Sequence, residues 1–209
     1  MKRTSLHRGI AMAAIIGAAA IGMAPASTAA TGNTSLVSVL TSSPTGYDVN
    51  AGDFDILTAA VQAVLGAKPN STVAVLADGS VPLTAFLPTD RAFANLVTAL
   101  TGSRPATEEA TFTAVAGLGI DTVEQILQYH VVPGTAIASG AALKANGAAL
   151  KTALPGKVIR VKVTKAPSII LGDYNTSLRN PRVNLGQVDI NKGSAQLAHG
   201  ISAVLLPSA

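Results

Sequence analysis

No residue of this 209-residue chain is cysteine, so side-chain packing alone must hold its fold together. Tryptophan is also absent and aromatic residues make up only 3% of the chain, which leaves valine, leucine, isoleucine and alanine to build the core. The same composition excludes thiol catalysis and cysteine-ligated zinc. It also supplies few aromatic rings on which bases could stack, so we expect no nucleic-acid partner.

The first 30 residues are typical of a secretory signal peptide. Lys2, Arg3 and Arg8 precede an uncharged apolar run over residues 10–23, and small residues follow. This order predicts export, with cleavage within residues 26–30. The apolar run is shorter than the roughly 20 residues of a membrane-spanning helix, and an uncleaved anchor is the alternative. We expect no membrane span after cleavage.

Helical periodicity dominates the first half of the chain. Residues 31–52 are rich in small polar residues, which predicts a flexible N-terminal segment. Apolar residues then recur at helical spacing in four segments. The predicted helices lie at residues 53–66, 89–102, 107–116 and 121–130.

The period changes in the second half. Residues 157–165 alternate between charged and apolar side chains, as a half-buried strand does. Further short strands are predicted at residues 169–171, 183–185, 188–190 and 201–206. Earlier in the chain, Asp78-Gly79 between two apolar runs (72–77 and 81–87) predicts a hairpin. Helices followed by strands favour the α+β class.

Charge is distributed unevenly along the chain. Residues 27–143 hold three basic and nine acidic residues, whereas residues 144–209 hold nine basic and two acidic ones. The strand that carries Arg160 and Lys162 on one face, with Lys165 after it, is the candidate polyanion-binding site. The alternatives are a plain solvated face, and a fold in which the two halves intermix and their charges cancel.

Three segments of the chain carry a family resemblance, and the third is in two parts, residues 189–190 and 199–207. Residues 84–93 read TAFLPTDRAF and residues 126–134 read ILQYHVVPG. Residues 189–190 read DI, and residues 199–207 read HGISAVLLP. Together these segments resemble the signatures of the fasciclin family, whose first segment usually reads TVFAPTN-x-AF.

The first and last signatures contribute residues that we expect to be structural. They are Thr84, Phe86, Pro88, Thr89, Asp90, Phe93 and His199. Asp90 stands where the family usually has asparagine, and either Thr89 or Asp90 is suited to cap the helix that follows. The usual Asn-Gly before the last histidine is missing here.

The resemblance implies a fasciclin-like domain over residues 53–207. It implies a compact wedge in which a seven-stranded β arrangement packs against several α-helices. It also implies extracellular adhesion or matrix binding, with an extracellular protein, a glycan or a cell-wall polymer as partner and no cofactor or metal.

Four candidate partner-binding residues come from the same resemblance, because Tyr-His and Asp-Ile segments of animal relatives are tied to receptor binding. These residues are Tyr129, His130, Asp189 and Ile190. Structural alternatives exist for each. His130 would bind backbone groups, Tyr129 would pack with an anchored hydroxyl group, and Asp189 would face solvent while Ile190 points inward.

Catalysis finds little support in the sequence. There is no Gly-x-Ser-x-Gly elbow and no closely spaced histidine and carboxylate ligand set, so we expect no enzyme. A triad of distant residues is the alternative, since triads are recognised by geometry. Two further hypotheses are a carrier of an apolar small molecule such as a pigment or lipid, and a domain whose partner is a second copy of itself.

Overall fold

The computed structural model describes residues 32–42, 46–166 and 168–208. The predicted signal peptide, residues 1–30, lies outside the described residues. In the part of the chain that is described, no helix combines the length and the apolarity needed to cross a bilayer.

The described residues form six α-helices and one 3₁₀ helix. The α-helices are α1 (Leu36–Ser42), α2 (Asp55–Ala67), α3 (Asp90–Thr101), α4 (Glu108–Ala116), α5 (Ile120–Tyr129) and α6 (Ser139–Ala142), and the 3₁₀ helix is Thr72–Ala77. Each of the four predicted helices is therefore confirmed to within two residues, as α2 to α5. Helix α3 ends where the sequence indicates, because Gly102 adopts a left-handed conformation (φ 76°) after its last turn.

Six strands form two three-stranded sheets in the same described part. They are β1 (Leu83–Pro88), β2 (Val131–Pro133), β3 (Ala149–Lys151), β4 (Val158–Val163), β5 (Ile169–Gly172) and β6 (Gln196–Ile201). In the first sheet, β1 lies between an antiparallel β2 and a parallel β6. In the second, β4 lies between β3 and β5, and all pairs are antiparallel. The α+β class is confirmed, whereas the expected count of seven strands is wrong.

Two of the predicted short strands are reduced to isolated bridges. Val183 pairs with Ile201, and Ile190 pairs with Ala198, without extending into ladders. Asp189 and Asn191 have positive φ angles of 56° and 66°, which turn the backbone away from an extended conformation on both sides of Ile190. The last strand also ends at Ile201 instead of beginning there.

Strand β1 is the middle strand of the first sheet and is buried along its whole length. Leu83, Ala85 and Leu87 face the core formed with helices α2, α3 and α5, whereas Phe86 faces a second core formed with β4 and β5. A strand that is buried on both faces has no alternation of polar and apolar residues, and the sequence of this segment has none. Because β1 pairs with β6, the acidic and basic halves of the chain intermix.

The predicted hairpin around Asp78-Gly79 is wrong, because Thr72–Ala77 is a 3₁₀ helix. Ser71 Oγ accepts a hydrogen bond from Val73 N (3.2 Å) and starts this helix. The buried amide of Gln196 then donates to the carbonyl oxygens of Val75 (2.7 Å) and Asp78 (2.8 Å). These carbonyl groups are thereby satisfied without a partner strand.

The N-terminal segment packs on the domain more closely than its composition predicts. Leu36 and Leu40 of α1 are buried, and Leu36 N donates to Gln196 Oε1 (2.8 Å). Gly32 exchanges backbone hydrogen bonds with the turn before β6. Two leucines among small polar residues are thus sufficient to dock residues 32–42.

Helix α3 buries the face that the spacing predicts, with one exception. Phe93, Leu96 and Val97 are almost fully buried, whereas Leu100 is 58% exposed. Leu100 lies in the last turn of the helix and projects beyond the core.

Candidate functional site

Tyr129 and His130 lie at the end of α5, inside the protein. Tyr129 has no exposed surface, and its hydroxyl group donates to Val158 O (2.9 Å). Burial and the nearby Asp173 raise the pKa of the Tyr129 hydroxyl group, so it stays protonated. The ring therefore anchors the start of β4 to the end of α5. Because Tyr129 is not exposed, a partner cannot contact it in this structure, which favours the structural interpretation.

His130 joins the same helix end to the C-terminal segment. Its Nδ1 lies 2.7 Å from Ile126 O, and its Nε2 lies 3.0 Å from Leu205 N. A carbonyl group can only accept and a backbone N–H can only donate, so Nδ1 carries the proton and Nε2 accepts. Burial lowers the pKa of His130 to about 4, against a small opposing effect of the Ile126 hydrogen bond. The side chain is neutral and internally bonded, as the structural alternative predicts.

The Asp-Ile segment contacts the first residue of α6. Asp189 is half-buried, and its carboxylate accepts from Ser139 N (2.7 Å) and Ser139 Oγ (2.6 Å). Partial burial opposes ionisation, but these hydrogen bonds and the charge of Lys192 outweigh it and lower the pKa of Asp189. Asp189 is therefore not the outward, solvated strand residue that period-two geometry predicts. Ile190 packs against the main core, which confirms its inward orientation.

His199, on strand β6, binds the same two segments. We call the contact between Asp189, Ser139 and His199 the joint. His199 Nδ1 accepts from Asp189 N (3.2 Å), and its Nε2 donates to Ile137 O (2.8 Å). Burial lowers the pKa of His199, which keeps the ring neutral. Thr84 braces the same segment, since its Oγ1 donates to Thr135 O (2.7 Å) and accepts from Ile137 N (2.8 Å).

This joint gathers a serine, a histidine and an aspartate, but not in the order of a catalytic triad. The hydroxyl group of Ser139 donates to Asp189 instead of to the ring of His199, and both ring nitrogens of His199 bind backbone groups. In a triad the serine hydroxyl group is hydrogen-bonded to one ring nitrogen of the histidine, and the carboxylate is hydrogen-bonded to the other ring nitrogen. Beside the joint, an apolar cavity of about 20 Å³ lies between Phe86 and Val161.

Asp90 caps a different helix from the one predicted. Its carboxyl oxygens accept from Ile56 N (2.9 Å) and Asp55 N (3.2 Å), in the first turn of α2. Thr89 occupies the N-cap position of α3 but offers no side-chain hydrogen bond. The first signature segment therefore ties α2 to the start of α3, a long-range contact that no local rule reveals.

Asp90 also belongs to an acidic cluster that sequence reasoning missed. Oxygen atoms of Asp53, Asp90 and Glu108 lie within 4.8 Å of one another, and a second set joins Asp48 and Asp55 to Glu108. Burial and a hydrogen bond with Asp53 raise the pKa of Asp90 to about 8. Carboxylate oxygens suit hard cations such as Ca²⁺. The two backbone N–H groups that Asp90 accepts favour its ionised form, but burial and the neighbouring Asp53 outweigh them. Asp53 Oδ1 is buried without another partner among the described residues, so the two carboxyl groups are placed to share a proton.

The proton on Asp90 gives stability an unusual pH dependence. The folded protein holds this proton up to about pH 8, whereas an unfolded aspartate loses it near pH 4. The free energy of unfolding therefore falls by about 1.4 kcal/mol per pH unit within that window. Below about pH 6.5 the opposite contribution of His130 offsets it, so Asp90 dominates between pH 6.5 and 8.

Asp90→Asn is expected to remove the loss of stability between pH 6.5 and 8. The wild-type protein should lose about 2 kcal/mol over this interval, and thermal unfolding followed by circular dichroism measures it. Glu109→Gln, an exposed change of the same kind, is the control and should retain the wild-type dependence. An equal fall in melting temperature for Asp90→Asn and the wild type would show that Asp90 is not the group that titrates.

The basic residues predicted to bind polyanions lie on the surface. Arg160 and Lys162 are exposed on β4 while Ile159 and Val161 are buried, which confirms the predicted alternation. Lys165 follows the strand and is exposed as well. Binding by these three residues stays a prediction.

One comparison with known proteins identifies the family, and a second supports the fold. A sequence model of the fasciclin domain matches residues 53–207. Among solved structures, the chain is similar to a pair of fasciclin-type (FAS1) domains from the insect cell adhesion molecule Fasciclin I, with a TM-score of 0.56 and 15% sequence identity. That match covers 83% of this chain and 51% of the other, so the chain spans about half the length of the domain pair. The comparison with curated protein sequences finds no match. Since the family model covers most of the chain, this protein belongs to the fasciclin family.

Proposed function

We propose that this protein is exported and acts outside the cell as an adhesion or matrix-binding module. The fasciclin match over residues 53–207 carries the proposal. The structural neighbour is described as a cell adhesion molecule, and the first 30 residues have the pattern of a signal peptide. The partners we propose are an extracellular protein, a glycan or a cell-wall polymer.

The interior supports a role for the surface and not for catalysis. His130 and His199 are the two histidines beyond the signal segment, and all four of their ring nitrogens are engaged with backbone groups. A general base needs a free nitrogen within reach of its substrate. We therefore propose that the protein needs no cofactor and catalyses no reaction.

The carrier hypothesis gains little from the interior. The apolar cavity beside Phe86 has a volume of about 20 Å³, close to the space of a single water molecule. Sites for small organic ligands are usually about 300–1,000 Å³. A pigment or lipid would therefore have to bind on the surface or open the two cores.

A retention experiment tests the proposal. The mature protein is immobilised and incubated with whole cells, cell-wall fractions and matrix proteins, and an unrelated exported protein of similar size and charge is the control. Retention of at least one of these above the control is the expected result. If every fraction passes through as it does over the control, the adhesion proposal is wrong. Light scattering over a concentration series then reveals whether the partner is a second copy.

A further inference from the structure

Two adjoining surface depressions share Arg182 and Ser202 in their walls. The first, about 330 Å³, lies between α3 and residues 178–182. The second, about 450 Å³, continues past Arg91 towards Asn184. Each volume lies in the range of ligand sites. We call the pair the arginine groove, after Arg91, Arg179 and Arg182.

The three guanidinium groups are available to a ligand. All three side chains are exposed. Within the described ranges the ion pairs involve only Lys68, so no carboxylate oxygen lies within 4.0 Å of these three arginines. Arg182 makes one hydrogen bond, from Nη1 to Ser168 Oγ (3.3 Å), which leaves most of its donors free. Arg179 and Arg182 line one depression and Arg91 and Arg182 line the other, so like charges gather along the groove and an anion bound there would reduce their repulsion.

Backbone hydrogen bonds fix the main-chain positions of Arg91 and Arg182, which lie far apart in the sequence. Arg91 N donates to Ala51 O (2.9 Å), and Arg182 N donates to Ser202 Oγ (3.0 Å). A fourth arginine stands at one end, where Arg104 Nη1 donates to the groove residue Asn95 (3.1 Å). The fold therefore fixes the backbone positions of Arg91 and Arg182, whereas their exposed side chains can reorient to meet a ligand.

The rest of the lining indicates a sugar polymer. Four amide side chains and several apolar residues complete the lining, and the described lining contains no aromatic ring. Asn184 donates to Gln187 Oε1 and Gln187 donates to Gly52 O, which leaves Asn95 and Asn180 as the amides that a ligand would contact. Guanidinium groups bind carboxylates through two parallel hydrogen bonds, and amides suit hydroxyl groups. A nucleic acid would need stacking surfaces that this lining lacks.

The predicted basic strand lies on the same sheet face as Arg182 of the groove. Lys162 is paired with Ile170 in the second sheet, and Ile170 is bridged to Arg182 on its other side. Residues directly opposite one another project from the same face of a sheet, so Lys162 and Arg182 share a face two strands apart. A longer acidic chain that leaves the groove would meet Lys162 and Arg160.

We propose that the arginine groove binds a linear acidic polysaccharide through its carboxylate groups. The inference rests on the proposed extracellular binding function and names the chemistry of its partner. The chain beyond the signal segment is close to neutral, with 12 basic and 11 acidic residues, so binding depends on the local geometry of the groove and not on net charge.

Isothermal titration of the mature protein with a short oligogalacturonate tests the proposal. Binding that weakens as salt is added is expected, with no binding of a neutral maltooligosaccharide of equal length. The Arg179→Gln/Arg182→Gln variant should bind about 25-fold more weakly, since each exposed ion pair contributes about fivefold. The Lys144→Gln/Lys192→Gln variant loses the same charge outside the groove and should change affinity by less than about twofold.

An Arg179→Lys/Arg182→Lys variant separates geometry from charge. It keeps both positive charges but loses the paired donors, so its affinity should fall between the wild type and the glutamine variant. Thermal unfolding of each variant verifies that it is folded.

Four results would overturn the groove assignment, and three of them come from comparing variants or ligands. Those three are equal weakening in both glutamine variants, binding of the neutral oligosaccharide as tightly as the acidic one, and binding of only a sulfated oligosaccharide. A wild-type protein that is retained on cells or wall fractions but ignores oligogalacturonate also overturns it, and leaves the proposed adhesion function standing. Only failure to be retained on any fraction counts against the function itself.

Discussion

Replacing His130 with alanine is expected to lower the free energy of unfolding by about 3–8 kcal/mol. Removal of the buried ring opens a cavity, which costs about 2–5 kcal/mol, and Leu205 N–H is left buried without its acceptor, which costs about 1–3 kcal/mol more. Domains of this size are commonly stable by about 5–15 kcal/mol, so the variant should be close to unfolding at room temperature. Urea denaturation followed by circular dichroism measures the change.

Tyr129→Phe is the matched control, since it alters the neighbouring buried ring by one hydroxyl group. It loses the hydrogen bond to Val158 O and should cost only about 1 kcal/mol. If His130 served a partner instead of the fold, His130→Ala would change stability by less than the control and would abolish binding to cells.

The same variant has a signature in acid. His130 has a pKa of about 4 in the folded protein and about 6.5 when unfolded, so its contribution to stability is complete above pH 6.5 and is lost as the pH falls towards 4. The difference in stability between the wild type and His130→Ala should therefore shrink between pH 6.5 and 4.5. A constant difference over that interval would contradict the neutral, doubly bonded ring.

Gly79→Ala is expected to displace the N-terminal segment from the domain. A Cβ atom at Gly79 would overlap the carbonyl group of Asn33 and would lie 2.8 Å from Ser35 N, and both neighbours are backbone atoms. Since neither can move aside as a side-chain end would, the segment that carries α1 must separate. Exposure of Leu36 and Leu40 then costs about 3–6 kcal/mol.

Hydrogen exchange locates this loss. Amides of α1 should lose their protection in Gly79→Ala, while those of β1 and β6 keep theirs. Gly66→Ala is the control, because a Cβ atom there meets open space on helix α2 and should raise stability by about 0.5–1 kcal/mol. Protection of α1 equal to that of the wild type would mean that the contact between Gly79 and Asn33 is wrong.

The local pattern of the chain determined its helices and its class. The apolar spacing in α2, α3 and α5 repeats every three or four residues, and the alternation in β4 repeats every two. Both periods are visible directly in the sequence. The three signature segments identified the family for a similar reason, since a motif is a local object. Even so, the spacing of Asp121 and Glu124, which locally resembles a capping box, does not form one, because Glu124 accepts from Ser71 Oγ (2.5 Å) instead of from its own helix.

Tertiary structure alone decided where each polar side chain would be satisfied. Asp90 caps α2 from 34 residues away, and Gln196 holds both α1 and the 3₁₀ helix. The arginine groove combines residues that are about 90 positions apart, from the acidic and the basic half. A buried polar group takes whichever partner the packing of distant apolar elements brings within about 3 Å, and no local period encodes that choice.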